Sequence, residues 1–280
     1  MRAVHTVKDI RDSLQAPRES GQVIGLIPTM GALHAGHIQN IRTARKECGL
    51  VVVSIFVNPL QFGPSEDYAR YPRPLAEDLE MCRQNGVDVV FTPAVEEIYP
   101  APQITFVELP RVSQYLCGAY RPGHFRSVAT VVLKLFNIVQ PHRAYFGEKD
   151  AQQLAVIRTM TRDLNLPIRI VGVPTVREAD GLAMSSRNQY LGPAERRAAP
   201  ALYRALLEAA NRARSGEKDP AKIREAGLAV LGQEPLIRLQ YFELVDPDEM
   251  QPVTAVTSPV LIAAAVWIGS TRLIDNVRVG

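Results

Sequence analysis

The sequence predicts an α/β protein: a parallel, doubly wound sheet followed by a smaller α+β domain. Three observations carry this prediction. Short apolar runs alternate with segments of helical period through residues 1–175, the order that builds parallel sheets. The run Leu50–Val57 is apolar almost without a break, as a strand covered on both faces would be. Beyond Val176 the order changes to helices and then three strand-like runs, which indicates an antiparallel sheet. The chain therefore divides into a domain at 1–175 and a smaller one at 176–280.

Each element has a local reason. Thr6 with Asp9 can cap a helix whose Val7, Ile10 and Leu14 share one face. Gln22–Ile27 is a buried-type strand, and Pro28 is expected to end it for want of an N–H. The next helix turns Ile38, Ile41, Ala44 and Cys48 inward and stops at Gly49. After the Leu50–Val57 strand comes a loop, Asn58–Tyr71, and a helix marked by Leu75, Leu79 and Cys82 that closes at Asn85-Gly86. Val87–Phe91 is a strand, Val128–Val139 a helix, and Ala144–Phe146 a strand ending in Gly147. Asp150 then caps a helix with Leu154, Ile157 and Leu164 on its inner side, and Ile168–Val173 is the last strand of this half. In the second domain a long Ala-rich helix is expected from about Pro193 to Arg214, and a shorter one from the Asp219 cap and Pro220. The strand runs are Ile237–Leu244, Val260–Trp267 and Leu273–Val279.

Composition limits the function classes. At 280 residues, 46% apolar and 22% charged, the chain can bury a substantial core and is long enough for two domains. Its net charge of +3, without a basic block, does not argue for nucleic acid. Cys48, Cys82 and Cys117 are far apart and odd in number, so they make neither a disulfide framework nor a metal motif; a reducing, cytoplasmic setting is expected. Met1–Thr6 lacks the apolar core of a signal segment. The longest apolar runs, Leu50–Val57 and Val260–Ile268, are too short to span a bilayer, so no membrane role is expected.

The stretch from Gly25 to His37 reads as strand, tight loop and helix start. Gly31 and Gly36 allow backbone shapes that a Cβ would block. His34 and His37 stand three apart, on one face if the helix has begun. A helix N-terminus favours anions, and two imidazoles beside it suit a polyphosphate. On spacing alone, such histidines are more usually surface residues, or one caps the other's turn. Zinc is disfavoured: the common helical pair is four apart, and no Cys or further His lies nearby.

Other loops fall where ligands bind in open α/β sheets, beyond the carboxyl ends of strands. In Asn58–Gly63, Gln61 offers an amide donor and acceptor. Gly147-Glu148-Lys149-Asp150 places a point charge between strand and helix, either for phosphate or simply in solvent. Met184-Ser185-Ser186-Arg187-Asn188 follows the turn signal Asp180-Gly181; two hydroxyls and a guanidinium suit phosphate oxygens, or form an ordinary surface loop. Arg121–Phe125 is a basic gate or a plain turn.

Thr29 to His37, T-x-G-x-x-H-x-G-H, resembles the nucleotide-binding signature of the HIGH superfamily of nucleotidylyl transferases and class I aminoacyl-tRNA synthetases. The fuller string Pro28–His37 resembles the pantothenate synthetase (pantoate–β-alanine ligase) family within it. So do Ser54–Phe62 (S-I-F-V-N-P-x-Q-F), Phe146–Gln153 (F-G-E-K-D-x-Q-Q) and Gly181–Asn188 (G-L-A-M-S-S-R-N), in the family's order and over nearly the whole chain.

The resemblance implies a Rossmann-like domain at 1–175 that binds ATP and pantoate, and a small lid domain at 176–280 carrying the Met184–Asn188 loop. It implies ATP contacts at Met30, Gly31, Ala32, Leu33, His34, Ala35, Gly36, His37, Gly147, Glu148, Lys149, Asp150, Val176, Met184, Ser185, Ser186 and Arg187. His34, His37 and Lys149 are the expected catalytic groups, and Gln61 and Gln153 the expected ligands of pantoate and β-alanine. Tyr71 to Asp78 resembles a segment near the magnesium-triphosphate, which makes Asp78 a candidate metal ligand for Mg²⁺. Some family members carry Glu at the position of Cys117, so no role is carried onto it. The implied reaction joins ATP, pantoate and β-alanine into pantothenate, AMP and pyrophosphate through a pantoyl adenylate, in a cytoplasmic homodimer. A nucleotidylyltransferase of the same superfamily, or a non-catalytic nucleotide-binding regulator, are the alternatives; neither needs Gln61 and Gln153 for a hydroxy acid.

Overall fold

The computed structural model describes residues 1–64, 66–257 and 259–280. Ser65, inside the expected Asn58–Tyr71 loop, lies outside the described residues. The chain opens with β1 (Arg2–Val4), a strand of three residues and too short to show a pattern in sequence. Helix α1 (Val7–Glu19) follows, with Thr6 Oγ1 accepting from the Asp9 N–H at 3.0 Å and Ile10 and Leu14 buried. Next comes β2 (Ile24–Thr29), which runs through Pro28 instead of stopping there. The reason is parity. Val23 and Thr29 carbonyls accept from Leu50 and Phe56 on one side, whereas the Ile24 carbonyl accepts from His142 on the other. Pro28 shares the parity of Ile24, and pairing on that side extends only through Gly25 and Leu26, so the missing N–H breaks no ladder bond.

The remaining elements in order are α2 (Ala35–Glu47), β3 (Leu50–Ile55), α3 (Leu75–Gln84), β4 (Val89–Phe91), α4 (Val95–Ile98), α5 (Cys117–Tyr120), α6 (His124–Val139), β5 (Arg143–Gly147), α7 (Ala151–Asp163), β6 (Arg169–Val173), α8 (Pro193–Ala198), α9 (Ala201–Arg214), α10 (Pro220–Leu231), β7 (Ile237–Val245), β8 (Val260–Ile268) and β9 (Thr271–Val279). Three expectations change. The long Ala-rich helix is two, α8 and α9, because Pro200 has no N–H to continue α8 and instead starts α9. Leu75 opens α3 on its exposed side, where Asp78 and Cys82 are the buried residues. Leu164 lies beyond the end of α7 and is exposed; Met160 fills the inner face in its place.

By internal packing the chain divides into two units. The first comprises Met1–Leu109, Arg121–Glu148 and Val156–Pro174. Among its described residues six strands form a parallel sheet in the order β1-β4-β3-β2-β5-β6. Ile27, Val51, Val53 and Tyr145 point to one face and join residues of α2 and α3 in a single apolar cluster. Strand alternation sends Leu26 and Val52 to the other face, where α6 packs on β2 and α1 on β4. The chain winds outward from β2 to β3 and β4, then returns to β5 and β6. The strand order therefore reverses between β2 and β5, where crevices form at the carboxyl ends.

The second unit comprises Pro110–Tyr120, Lys149–Ala155 and Thr175–Gly280. It does not follow the linear division at Val176, because side chains draw two earlier segments into it. Gln152 Nε2 donates to the Val112 and Tyr115 carbonyls at 3.0 and 2.7 Å, and Asn276 Nδ2 donates to the Lys149 carbonyl at 2.9 Å. Its sheet is antiparallel, β7-β8-β9, as expected. Ala205, Ala209 and Ala210 let α9 lie close on β8 and β9. Gly227 does the same for α10: a Cβ there would stand 2.4 Å from Phe242 Cζ and 3.0 Å from the Ala205 carbonyl.

Candidate active site

The loop after β2 is held by its own polar atoms. Thr29 Oγ1 donates to the Ser54 carbonyl at 2.8 Å and accepts from the Gly31 N–H at 3.1 Å. Gly31 has φ +81°, and a Cβ on it would stand 2.9 Å from Asp78 Oδ2. Asp78 reaches in from α3. Its Oδ2 accepts from the Ala32 N–H at 2.8 Å and its Oδ1 from the Leu33 N–H at 2.7 Å. Burial pushes its carboxyl above the usual range, and the two N–H groups pull it back in part. Asp78, the candidate metal ligand, thus also braces the loop: the residue is 1% exposed and each oxygen accepts one loop N–H.

Helix α2 begins immediately after. His34 is its N-cap, with Nδ1 accepting from the Gly36 N–H at 3.1 Å; His37 Nδ1 accepts from the His34 N–H at 3.3 Å. The ring centroids are 4.1 Å apart. Since an N–H can only donate, each Nδ1 is an acceptor, and in the neutral ring the proton sits on Nε2. Capping and anion binding, alternatives in sequence, are compatible: the cap uses Nδ1 and makes both imidazoles Nε2 donors at a helix N-terminus. Gly147 ends β5, the strand beside β2, and Glu148 follows it, so both loops emerge at the reversal of strand order. A cavity of about 270 Å³ lies against the β2 loop, lined among others by Met30, Gly31, Ile55, Tyr68, Arg73 and Asp78.

Gln61 sits in a 3-10 turn, Pro59–Gln61, directly after β3. Its Nε2 is 2.9 Å from Met30 Sδ and its Oε1 accepts from Asn58 Nδ2 at 3.2 Å. Asn58 is buried and fixed in turn, its Oδ1 accepting from the Leu60 N–H at 3.3 Å and the Tyr99 hydroxyl at 3.0 Å. Sequence reasoning singled out Gln61 and missed Asn58; the signal that finds it is an Asn before proline, which favours an Asx-type turn. Arg121–Phe125 is no plain turn: α6 starts at His124, which bonds to the Gln61 carbonyl.

In the second unit the structure brings Lys149, Asp150, Val176 and the Met184–Arg187 loop into one packed body. The Val176 carbonyl accepts from the Met184 N–H at 2.9 Å, and Arg177 and Ala183 form a bridge around the turn. Arg177 grips Asp275 with two bonds, 2.6 and 3.0 Å, and stacks on Tyr203 at 3.6 Å. Burial raises the Asp275 carboxyl, against the pull of Arg177; Lys149 adds to that pull. Ser185 caps a 3-10 turn, Ser186–Tyr190, its Oγ accepting from the Arg187 N–H at 3.3 Å. Gln153, half-buried on the first turn of α7, belongs to this unit, whereas Gln61 belongs to the first.

The loops after β2 and β5 both lie where the strand order reverses. The family model described as pantoate-beta-alanine ligase matches residues 2–278. The chain belongs to this family. A curated relative named pantothenate synthetase, from Moorella thermoacetica, is 53% identical over 99% of this chain and 98% of its own. One of the same name from Thermotoga neapolitana is 51% identical over the whole of both. Among solved structures, a pantothenate synthetase from Thermus thermophilus superposes with a TM-score of 0.94 at 49% identity, covering 99% of each chain. A pantoate-beta-alanine ligase from Francisella tularensis, complexed with beta-gamma ATP and beta-alanine, gives a TM-score of 0.82 at 33% identity, covering 99% of this chain and 97% of its own.

Proposed function

We propose that this chain is a pantoate–β-alanine ligase, condensing pantoate and β-alanine at the expense of ATP and releasing AMP and pyrophosphate. The observation that carries the reading is the pair His34 and His37. Their Nδ1 atoms are consumed by the backbone at the start of α2, so their Nε2–H groups serve as donors where anions bind. Family membership over residues 2–278 supports the same reading.

Pantoate's carboxylate attacks the α-phosphorus of ATP, and pyrophosphate leaves. The amine of β-alanine then attacks the acyl carbon of the adenylate, and AMP leaves. ATP supplies the activation, so no protein nucleophile is needed. His34, His37 and Lys149 stabilise charge on the triphosphate as the α-phosphorus bond breaks. Ser185, Ser186 and Arg187 bind phosphate oxygens, and Met30–Gly36, Gly147–Asp150, Val176 and Met184 contact the nucleotide. Gln61 and Gln153 bind the hydroxy acid.

Magnesium belongs to this reading as part of the substrate, Mg-ATP. No cluster of three His, Cys, Asp or Glu side chains among the described residues forms a cage, and each Asp78 oxygen accepts one loop N–H. In this reading the ion is held mainly by phosphates and water, with Asp78 the candidate protein ligand. A homodimer and a cytoplasmic setting complete the reading; three buried, free cysteines support the second.

The test is AMP release with ATP, pantoate and β-alanine. All three should be required, and His37→Ala should lower kcat by about 10²–10³ with the far-ultraviolet spectrum unchanged. Pyrophosphate release without AMP would favour a nucleotidylyltransferase; ATP binding without turnover would favour a regulator.

A further inference from the structure

Gln61 lies on a loop, yet its backbone carbonyl is gripped from α6 and the turn before it. His124 Nδ1 is 2.9 Å from that oxygen and Arg121 Nη2 is 3.3 Å from it. A carbonyl only accepts, so Nδ1 of His124 carries the proton. Arg121 Nη1 lies 2.9 Å from His124 Nε2 and only donates, so Nε2 is the acceptor. One neutral tautomer satisfies both partners. Arg121 is fixed in its turn by Glu66, whose two oxygens take its Nε and Nη2 at 2.7 and 2.6 Å. This fork is mostly shielded, the side chains being 14% and 25% exposed. The chain of contacts runs Glu66 to Arg121 to His124 to Gln61.

We infer that Arg121 and His124 are positioning residues for Gln61. They hold its backbone so that its amide meets the hydroxy acid without an ordering cost at binding. The inference rests on the reading that Gln61 binds that acid. A loop side chain needs such a bracket because a displacement of about 1 Å in a positioning group can cost 10²-fold in rate. Neither residue needs to touch the substrate.

Steady-state kinetics on the full chain test this. His124→Phe removes the donor to Gln61 and should raise KM for pantoate about tenfold, the size that one lost hydrogen bond carries. KM for ATP should stay within about twofold, since the nucleotide does not bind through Gln61 in this reading. His124→Asn keeps a donor near the Nδ1 position and should restore most of the loss. In a Gln61→Ala background, His124→Phe should add nothing further, because the amide it places is gone. If the two effects multiply instead, His124 acts elsewhere and the inference fails while the Gln61 assignment stands. If Gln61→Ala alone leaves KM for pantoate unchanged, the assignment of Gln61 fails and takes the inference with it. Should His124→Phe not fold, Arg121→Gln in the same two backgrounds gives the same decision.

Discussion

At the scale of single residues, Asp78 has a structural part beside its candidate role at the metal. Its carboxylate accepts the Ala32 and Leu33 N–H groups at 2.8 and 2.7 Å, from partners 46 and 45 residues away in sequence. Nothing local announces this, because the partner is backbone and the distance in sequence is long. Asp78→Asn offers one acceptor where two are required, leaving a buried N–H unpaired at about 1–3 kcal/mol. The variant should unfold at lower urea and bind ATP more weakly. Unchanged stability with a shifted Mg²⁺ requirement would leave Asp78 to the metal alone. The histidine pair, by contrast, was legible from spacing at residues 34 and 37. What spacing did not reveal was that both Nδ1 atoms accept backbone N–H groups at the start of α2.

At the scale of elements, β2, β3 and β8 follow from apolar runs, because burial on both faces leaves a continuous signal. Proline was the source of two differences. Its effect depends on which side its missing N–H faces: harmless in β2, decisive between α8 and α9. Packing between elements is tight at Gly227, where a Cβ would meet Phe242 at 2.4 Å. Gly227→Ala should therefore destabilise the second unit by about 1–3 kcal/mol through overpacking, despite the better helix propensity of alanine. A stabilised variant in urea denaturation would show that α10 can shift outward freely. The loop after β3 is tied to the start of α6 through Glu66 and Arg121, and this tie depends on pH. Burial raises the Glu66 carboxyl, but the bonds and charge of Arg121 and the Gly63 N–H outweigh it and hold it below 4.5. A depressed carboxyl contributes stability above its unfolded pKa and loses it as pH falls through the folded value. The stability gap between wild type and Glu66→Gln should be full above about pH 4.5 and shrink below it. A gap that does not change with pH would contradict the ion pair.

At the scale of the whole molecule, the two-part architecture was legible from the change of pattern near Val176. Its true partition was not, because Gln152 and Asn276 recruit earlier segments through side-chain bonds to distant backbone. One consequence is that Lys149 and the Ser185–Arg187 loop belong to the same unit. Within that unit Asn276 Nδ2 donates to the Lys149 carbonyl and Arg177 donates to Asp275. In the proposed function this unit serves an acyl-adenylate reaction. Isotope exchange between pyrophosphate and ATP tests it most directly, since pyrophosphate must leave before the amine acts. With Mg²⁺, ATP and pantoate but no β-alanine, label should pass from pyrophosphate into ATP; without pantoate it should not, and Arg187→Ala should slow it strongly. Exchange with ATP alone, or only once β-alanine is added, would rule out a free pantoyl-adenylate half-reaction.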